Sequence, residues 1–318
     1  MIWLYYILIF ISSCLLMTFS SEWLVEKVHR IALFLKLKEF VVAFFLMAFA
    51  CSLPNLVVGI ISALNGIPEL SFADIVGGNI FDLSVVIGLT ALISRKGLSV
   101  QSKTVQGSSL FTIFAAILPI FLLFDGSLSR TDGILLILTF FIYVSWLFSK
   151  KERFTKIYDH GKEELTSKKF FIDSISLILG VLLLLLGGNG IVASAQFFSQ
   201  ALNFPLVLIG IFIVGVGNSL PELFFSIQAA KKGQDWLLLG DLMGGVAITA
   251  TLILGIVVLI HPLEINDFSL FAIARIFLII SSLFFLLFVR SNKKITPQEG
   301  FILLGIYFAF LIVEILLK

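Results

Sequence analysis

The chain has 318 residues, 59% of them hydrophobic and 13% charged, with 34 Phe and a mean hydropathy of +1.11. No water-soluble globular chain has this composition, so the protein belongs in a membrane. The net charge of +2 says little about partners, whereas the placement of the charges says a great deal.

Ten apolar stretches are each long enough for a hydrocarbon layer of roughly 30 Å. In chain order they run over 2–19, 40–63, 72–94, 106–124, 132–149, 170–188, 204–230, 237–260, 268–290 and 299–317. The first has no basic n-region and no small-residue cleavage site, and it reads as a membrane helix rather than a signal peptide. Of the 22 Lys and Arg, 19 fall in alternate loops: 20–39, 95–105, 150–169, 231–236 and 290–298. Adding or losing one helix would scramble that alternation. The positive-inside rule then places both termini outside, and the short loops suit a bacterial inner membrane. The polar stretch KKERFTKIYDHGKEELTSKK, 150–169, is a short cytoplasmic linker between two five-helix halves, 1–149 and 170–318.

The halves contain a repeat. SLPNLVVGIISALNGIPELSFADIVGGNIFDLSVVIGLTALI, 52–93, aligns without gaps on SLPELFFSIQAAKKGQDWLLLGDLMGGVAITATLILGIVVLI, 219–260, at a constant offset of 167 residues. The shared residues are the unusual ones: Ser-Leu-Pro, the turn glycines Gly66 and Gly233, Asp74 and Asp241, and the pairs Gly77-Gly78 and Gly244-Gly245. Five helices separate equivalent positions, so the copies enter the membrane from opposite faces. An all-α, inverted-topology architecture of this kind places its substrate at mid-membrane between the copies.

Pro54 and Pro221 are expected to break or bend their helices and so free backbone carbonyls. Such carbonyls, the hydroxyls of Ser52 and Ser219 and the carboxylate of Glu222 are the oxygen ligands that hard cations prefer. Serine can also bond back to its own helix, and Asn55 can either offer its carbonyl oxygen or satisfy the broken helix. On the second helix of each copy Asp74, Gly78 and Asp82 share one face, matched by Asp241, Gly245 and Thr249. Glycine pairs there let the helices approach closely.

The two copies resemble the α-repeats of the sodium/calcium exchanger membrane family. The family pattern, roughly G-[TS]-S-[LM]-P-E followed by G-N-x-x-G-S-N-x-x-[DN], stands here as A-C-S-L-P-N with A-D-I-V-G-G-N-I-F-D, and as G-N-S-L-P-E with G-D-L-M-G-G-V-A-I-T. The resemblance implies that Glu222 and Asp82 hold the transported cations as metal ligands. Asn55, Ser52, Ser219, Asn218 and Thr249 then complete the coordination. It also implies alternating access by sliding of the first and sixth segments, with Na⁺ and Ca²⁺ as transported ions and no cofactor.

The departures fall on the ligands. Asn55 replaces the first glutamate, Thr249 stands where the family has an acid, Gly78 and Gly245 replace serines, and Cys51 and Asn218 occupy threonine-like positions. Asp74 and Asp241 replace asparagines, and they either cap helix starts or line an access path with negative charge. Exchange of another cation, proton-coupled exchange and a non-transporting degenerate exchanger are the alternative readings.

No Ser/His, paired-Asp or His-metal arrangement points to an enzyme. Nothing points to nucleic acid: the partners are inorganic cations and the lipid bilayer, with the oligomeric state open. His29, His160 and His261 have no Cys or carboxylate cluster around them, and Arg275 reads as snorkelling or paired with a nearby acid. Cys14 and Cys51 form neither a disulfide framework nor a metal spacing.

Overall fold

The computed structural model describes residues 2–34, 47–94, 96–100, 103–149, 167–265, 269–291 and 293–316. Most of the expected linker, 150–166, and the start of the second expected segment, 40–46, lie outside the described residues. Nine helices among the described residues are long and apolar enough to cross a membrane, and they match nine of the ten expected segments. The remaining segment is represented by two pieces, α2 (Met47–Cys51) and the apolar α3 (Leu53–Leu64).

Two expected boundaries were short. The stretches 2–19 and 170–188 become α1 (Ile2–Phe34) and α8 (Ser167–Leu202), of 33 and 36 residues. Hydropathy marks where polar residues begin, but helices stop at backbone signals, and the sequence has no Pro or Gly between Ile2 and Phe34 and no Pro within α8. The apolar span Phe171–Leu202 has 32 residues. At about 1.5 Å per residue it is about 48 Å long against a layer of about 30 Å, so it crosses obliquely. The two helices pack on each other along their length. With parts of α3 and of the helix before Ser219 they build an apolar cluster, including Met17, Val57, Leu184 and Ile191, distinct from the main core.

Each repeat folds as a broken helix, a tight turn and a long return helix. In the first, Ser52 interrupts α2 and α3, Gly66 turns the chain at φ 70°, and the helix Pro68–Ile93 returns as α4 (Pro68–Phe81), a π-helical segment Asp82–Val86 and α5 (Ile87–Ile93). In the second, α9 (Leu206–Ile209), a π-helical segment Gly210–Val214 and α10 (Gly215–Asn218) lead to the break at Ser219, followed by α11 (Leu220–Lys231). Gly233 turns the chain at φ 67°, and Asp235–Ile260 returns as α12 (Asp235–Ala247), a π-helical segment Ile248–Ile253 and α13 (Leu254–Ile260). Both turns close as helix caps. Gly66 N–H donates to Ala63 and Ile67 N–H to Ser62, as Gly233 N–H does to Ala230 and Gln234 N–H to Ala229.

The outer helices extend the same symmetry. They are α6 (Lys103–Leu122), α7 (Arg130–Ser149), α14 (Ser269–Ser291) and α15 (Pro297–Leu316). At Gly88 a Cβ would lie 2.7 Å from the carbonyl oxygen of Gly300, and at Gly255 one would lie 2.8 Å from that of Gly133. Gly88 and Gly255 are 167 residues apart, and so are Gly133 and Gly300. The crossings of α5 with α15 and of α13 with α7 are therefore symmetry copies that need glycine for backbone contact. The starts of α7 and α15 match too: Ser129 N–H donates to Asp132 at 2.8 Å and Thr296 N–H to Glu299 at 2.7 Å, two capping boxes at the same offset.

Short antiparallel bridges tie β1 (Leu98–Ser99) to β4 (Lys294–Ile295) and β2 (Ser127–Leu128) to β3 (Leu263–Glu264). Each joins loops that the alternation of helices places on one side of the membrane.

Candidate ion-binding site

Ser-Leu-Pro makes a break because Pro54 and Pro221 occupy the second position of α3 and α11, where a missing N–H is tolerated while the preceding residues leave helical geometry. The interruption itself falls two residues earlier, at Ser52 and Ser219, with ψ near 0°. The carbonyl that Pro54 cannot bond is that of Ala50, and the Ser21 hydroxyl of α1 donates to it at 3.0 Å. That freed carbonyl is thus satisfied by the protein. Ser52 also donates back into its own helix, to the Ala48 carbonyl at 2.8 Å, which leaves its lone pairs free.

Close approach of α4 to the helix before Ser219 brings the repeats together. At Gly215 a Cβ would lie 2.8 Å from the Gly78 nitrogen and 3.0 Å from the Asp74 carbonyl oxygen, and at Gly77 one would lie 2.7 Å from Ile211 Cα. The backbones touch because these positions carry no side chain. In that contact Asn218 Nδ2 donates to both oxygens of Asp74, at 3.1 and 3.0 Å. Gly78 faces Ser219, whose Oγ would be 3.1 Å from an added Cβ, and Gly245 faces Ser52, at 3.8 Å. Asp82 lies beside Ser219, and Cys51 lies beside Asp241. Each pairing joins a residue of one half of the chain to a residue of the other.

All nine residues singled out in the sequence, Ser52, Asn55, Asp74, Asp82, Asn218, Ser219, Glu222, Asp241 and Thr249, are buried, none more than 8% exposed. Glu222 and Asp82 come from opposite repeats and lie within electrostatic range of each other and of Asp241 and Asp74. Among the described residues none of the four carboxylates is paired with Lys, Arg or His. Among the same residues Asp82 Oδ1, Glu222 Oε2, Asn218 Oδ1 and both oxygens of Asp241 have no hydrogen-bond partner of ordinary geometry. Buried polar atoms are almost always satisfied. A convergent set of orphaned acceptors with no basic side chain beside it is what a cation would complete.

Neither Asp74 nor Asp241 caps a helix: the acids in the first turns of α4 and α12 are Glu69 and Asp235. Both belong to the buried layer between the repeats. Two further participants were not singled out as site residues. Thr249 Oγ1 donates to Asn79 Oδ1 at 3.0 Å, with the Asn79 amide nitrogen left unpartnered. Asn79 stands three residues before Asp82, and that helical spacing was the available signal. Cys51 was noted as a departure, but only the fold sets it beside Asp241.

The return helices change pitch where they reach the site. The π-helical segments begin at Asp82 and one residue before Thr249, which are equivalent positions. π-Turns widen the helix and cluster at functional sites. Elsewhere, Arg275 is half-buried and its Nε donates to the Phe271 carbonyl at 3.3 Å.

A family model described as sodium/calcium exchanger protein matches residues 5–149 and 174–316. An uncharacterised membrane protein of Methanocaldococcus jannaschii is 30% identical over 304 residues, covering 94% of each chain. The sodium/calcium exchanger MaX1 of Methanosarcina acetivorans is 26% identical over 331 residues, covering 92% of this chain and 94% of that one. Among solved structures, the sodium-calcium exchanger NCX_Mj aligns with a TM-score of 0.65 at 26% identity, covering 96% of this chain and 98% of the other. With its inverted repeats, broken helices and buried acidic layer, the chain belongs to the sodium/calcium exchanger protein family.

Proposed function

We propose that the protein is a membrane cation antiporter in which Asp82 and Glu222 bind the transported ions between the two repeats. The observation that carries this reading is the pair itself: two buried carboxylates from opposite repeats, each with an orphaned oxygen and no basic partner among the described residues. Their chemistry accounts for obligatory exchange. Two carboxylates balance one Ca²⁺ or two Na⁺, and when an ion leaves, two like charges remain in a poorly solvated site. Closing over the empty site is then unfavourable, whereas closing over a replacement cation is not. Asn55, Ser52, Ser219, Asn218 and Thr249 supply neutral oxygens around the pair.

Alternating access is assigned to α1 and α8. They share their own apolar cluster, and their contact with the repeats is mostly nondirectional packing that can slide. Ser21 on α1 couples this movement to the break at Ser52 through the Ala50 carbonyl. The membrane is assigned as a bacterial inner membrane with both termini outside, supported by the charge alternation.

The departures Asn55, Gly78 and Gly245 favour one further reading, exchange of a cation other than Ca²⁺, because they remove a charge and two hydroxyls from the coordination. The test is ⁴⁵Ca²⁺ uptake into proteoliposomes under an outward Na⁺ gradient or an outward proton gradient. Uptake is expected in one arm and should vanish in Glu222→Gln with the protein still folded. Persistent uptake in that variant would remove Glu222 from the site. No uptake by the wild type in either arm would move the substrate to another cation.

A further inference from the structure

The four carboxylates are not equivalent, and the asymmetry has a single cause. Asp74 and Asp241 are symmetry mates 167 residues apart, and so are the residues that face them across the repeats, Asn218 and Cys51. An amide N–H is a strong donor, and here Asn218 Nδ2 shares one between both oxygens of Asp74, at 3.1 and 3.0 Å. The Cys51 thiol beside Asp241 is a weak donor, and neither buried oxygen of Asp241 has a hydrogen bond of ordinary geometry among the described residues. One position is closed by the protein, and its mate is open.

We propose that Asp241 forms a second cation position, taking one Na⁺, and that Asn218 permanently occupies the equivalent position at Asp74 in place of an ion. The inference rests on the antiport reading for its role in coupling but not for the binding itself. One carboxylate carries one charge, which a monovalent cation neutralises. Among the described residues the surroundings add no competing cation: the titratable groups that face Asp241 there are Cys51 of α2, Glu222 of α11 and Asp82 of the first return helix, all neutral or acidic. Ser52, beside Cys51, has lone pairs to spare once its hydrogen is given to Ala48. Asn218 Oδ1 is itself an orphan acceptor turned away from Asp74, so it can serve the central pair while its amide closes the flank. The exchanger therefore couples one monovalent cation through this flank where full symmetry would couple two.

The proposal predicts the effect of exchanging the two facing residues, neither of which changes formal charge. Cys51→Asn supplies the missing amide to Asp241 and should remove one bound monovalent cation per chain. Asn218→Cys uncovers Asp74 and should add one. The full-length protein in detergent is titrated with ²²Na⁺ at fixed pH, and the bound Na⁺ is counted per chain. Asp241→Asn should match Cys51→Asn. Equal counts in wild type, Cys51→Asn and Asp241→Asn would overturn the proposal, as would an unchanged count in Asn218→Cys. If one variant fails to fold, the remaining two still decide. The counts do not depend on transport, so absence of exchange in the wild type would sink the antiport reading and leave this test standing.

Discussion

Replacing Gly245 by Ser should tighten cation binding, because it returns a hydroxyl to the site at a place where the fold has kept room for it. A Cβ at this position meets nothing nearer than Ser52 Oγ, at 3.8 Å, an ordinary van der Waals distance. A hydroxyl one bond further out comes within hydrogen-bonding separation, about 2.7–2.8 Å, of that oxygen. It thereby adds a lone pair beside Ser52, Cys51 and Asp241. A net contribution of about 1 kcal/mol for one such interaction corresponds to roughly five-fold in affinity. Gly78→Ser is the symmetry-related change and should gain less. Its Cβ would already be 3.1 Å from Ser219 Oγ and 3.6 Å from the Gly215 carbonyl oxygen, so part of the gain is lost in moving the neighbour. The assay is the concentration dependence of ⁴⁵Ca²⁺ uptake in proteoliposomes, with Gly245→Ala as the control that adds the carbon without the oxygen. An apparent affinity for Gly245→Ser equal to or weaker than that of Gly245→Ala would refute the assignment of this face to the ion site.

Gly77→Ala should lower thermal stability in detergent. The new methyl would meet the Ile211 backbone, 2.7 Å from its Cα, and overpacking against an atom that cannot rotate away costs about 1–3 kcal/mol. Gly305→Ala, whose methyl meets nothing within 4 Å among the described residues, should be neutral or stabilising, and an equal loss in both variants would mean that the close approach is not what the glycine provides. Thr249→Val removes the donor to Asn79, whose amide nitrogen already lacks a partner. A buried amide left wholly unsatisfied should cost about 1–3 kcal/mol of stability, and no change in unfolding midpoint would show that the hydrogen bond is dispensable.

The membrane class, the number of crossings and the inverted repeat were legible in the sequence because each is a statement about composition or position along the chain. Helix length in lipid is set by the thickness of the bilayer, so the apolar stretches could be counted. The internal offset survives as Ser-Leu-Pro, the turn glycines and the glycine pairs because those residues are fixed by backbone geometry that other side chains cannot adopt. The same offset was invisible at Gly133 and Gly300, or at Ser129 and Thr296, where one small residue among many apolar ones carries no signal until the crossing it permits is seen.

The candidate site divides in the same way. Glu222, Asp82 and the serines stood out as polar residues in apolar surroundings, where their cost implies a purpose. Partnership is a different matter, since it depends on which atoms meet across the repeat interface. Spacing along one helix left Asp74 and Asp241 as alike, either helix caps or an access path. Only the tertiary structure set Asn218 against one and Cys51 against the other, giving the first carboxylate an amide donor and the second only a thiol. A sequence fixes each side chain's donors and acceptors one residue at a time, but whether a buried charge finds its counterpart is decided by the helix that packs beside it.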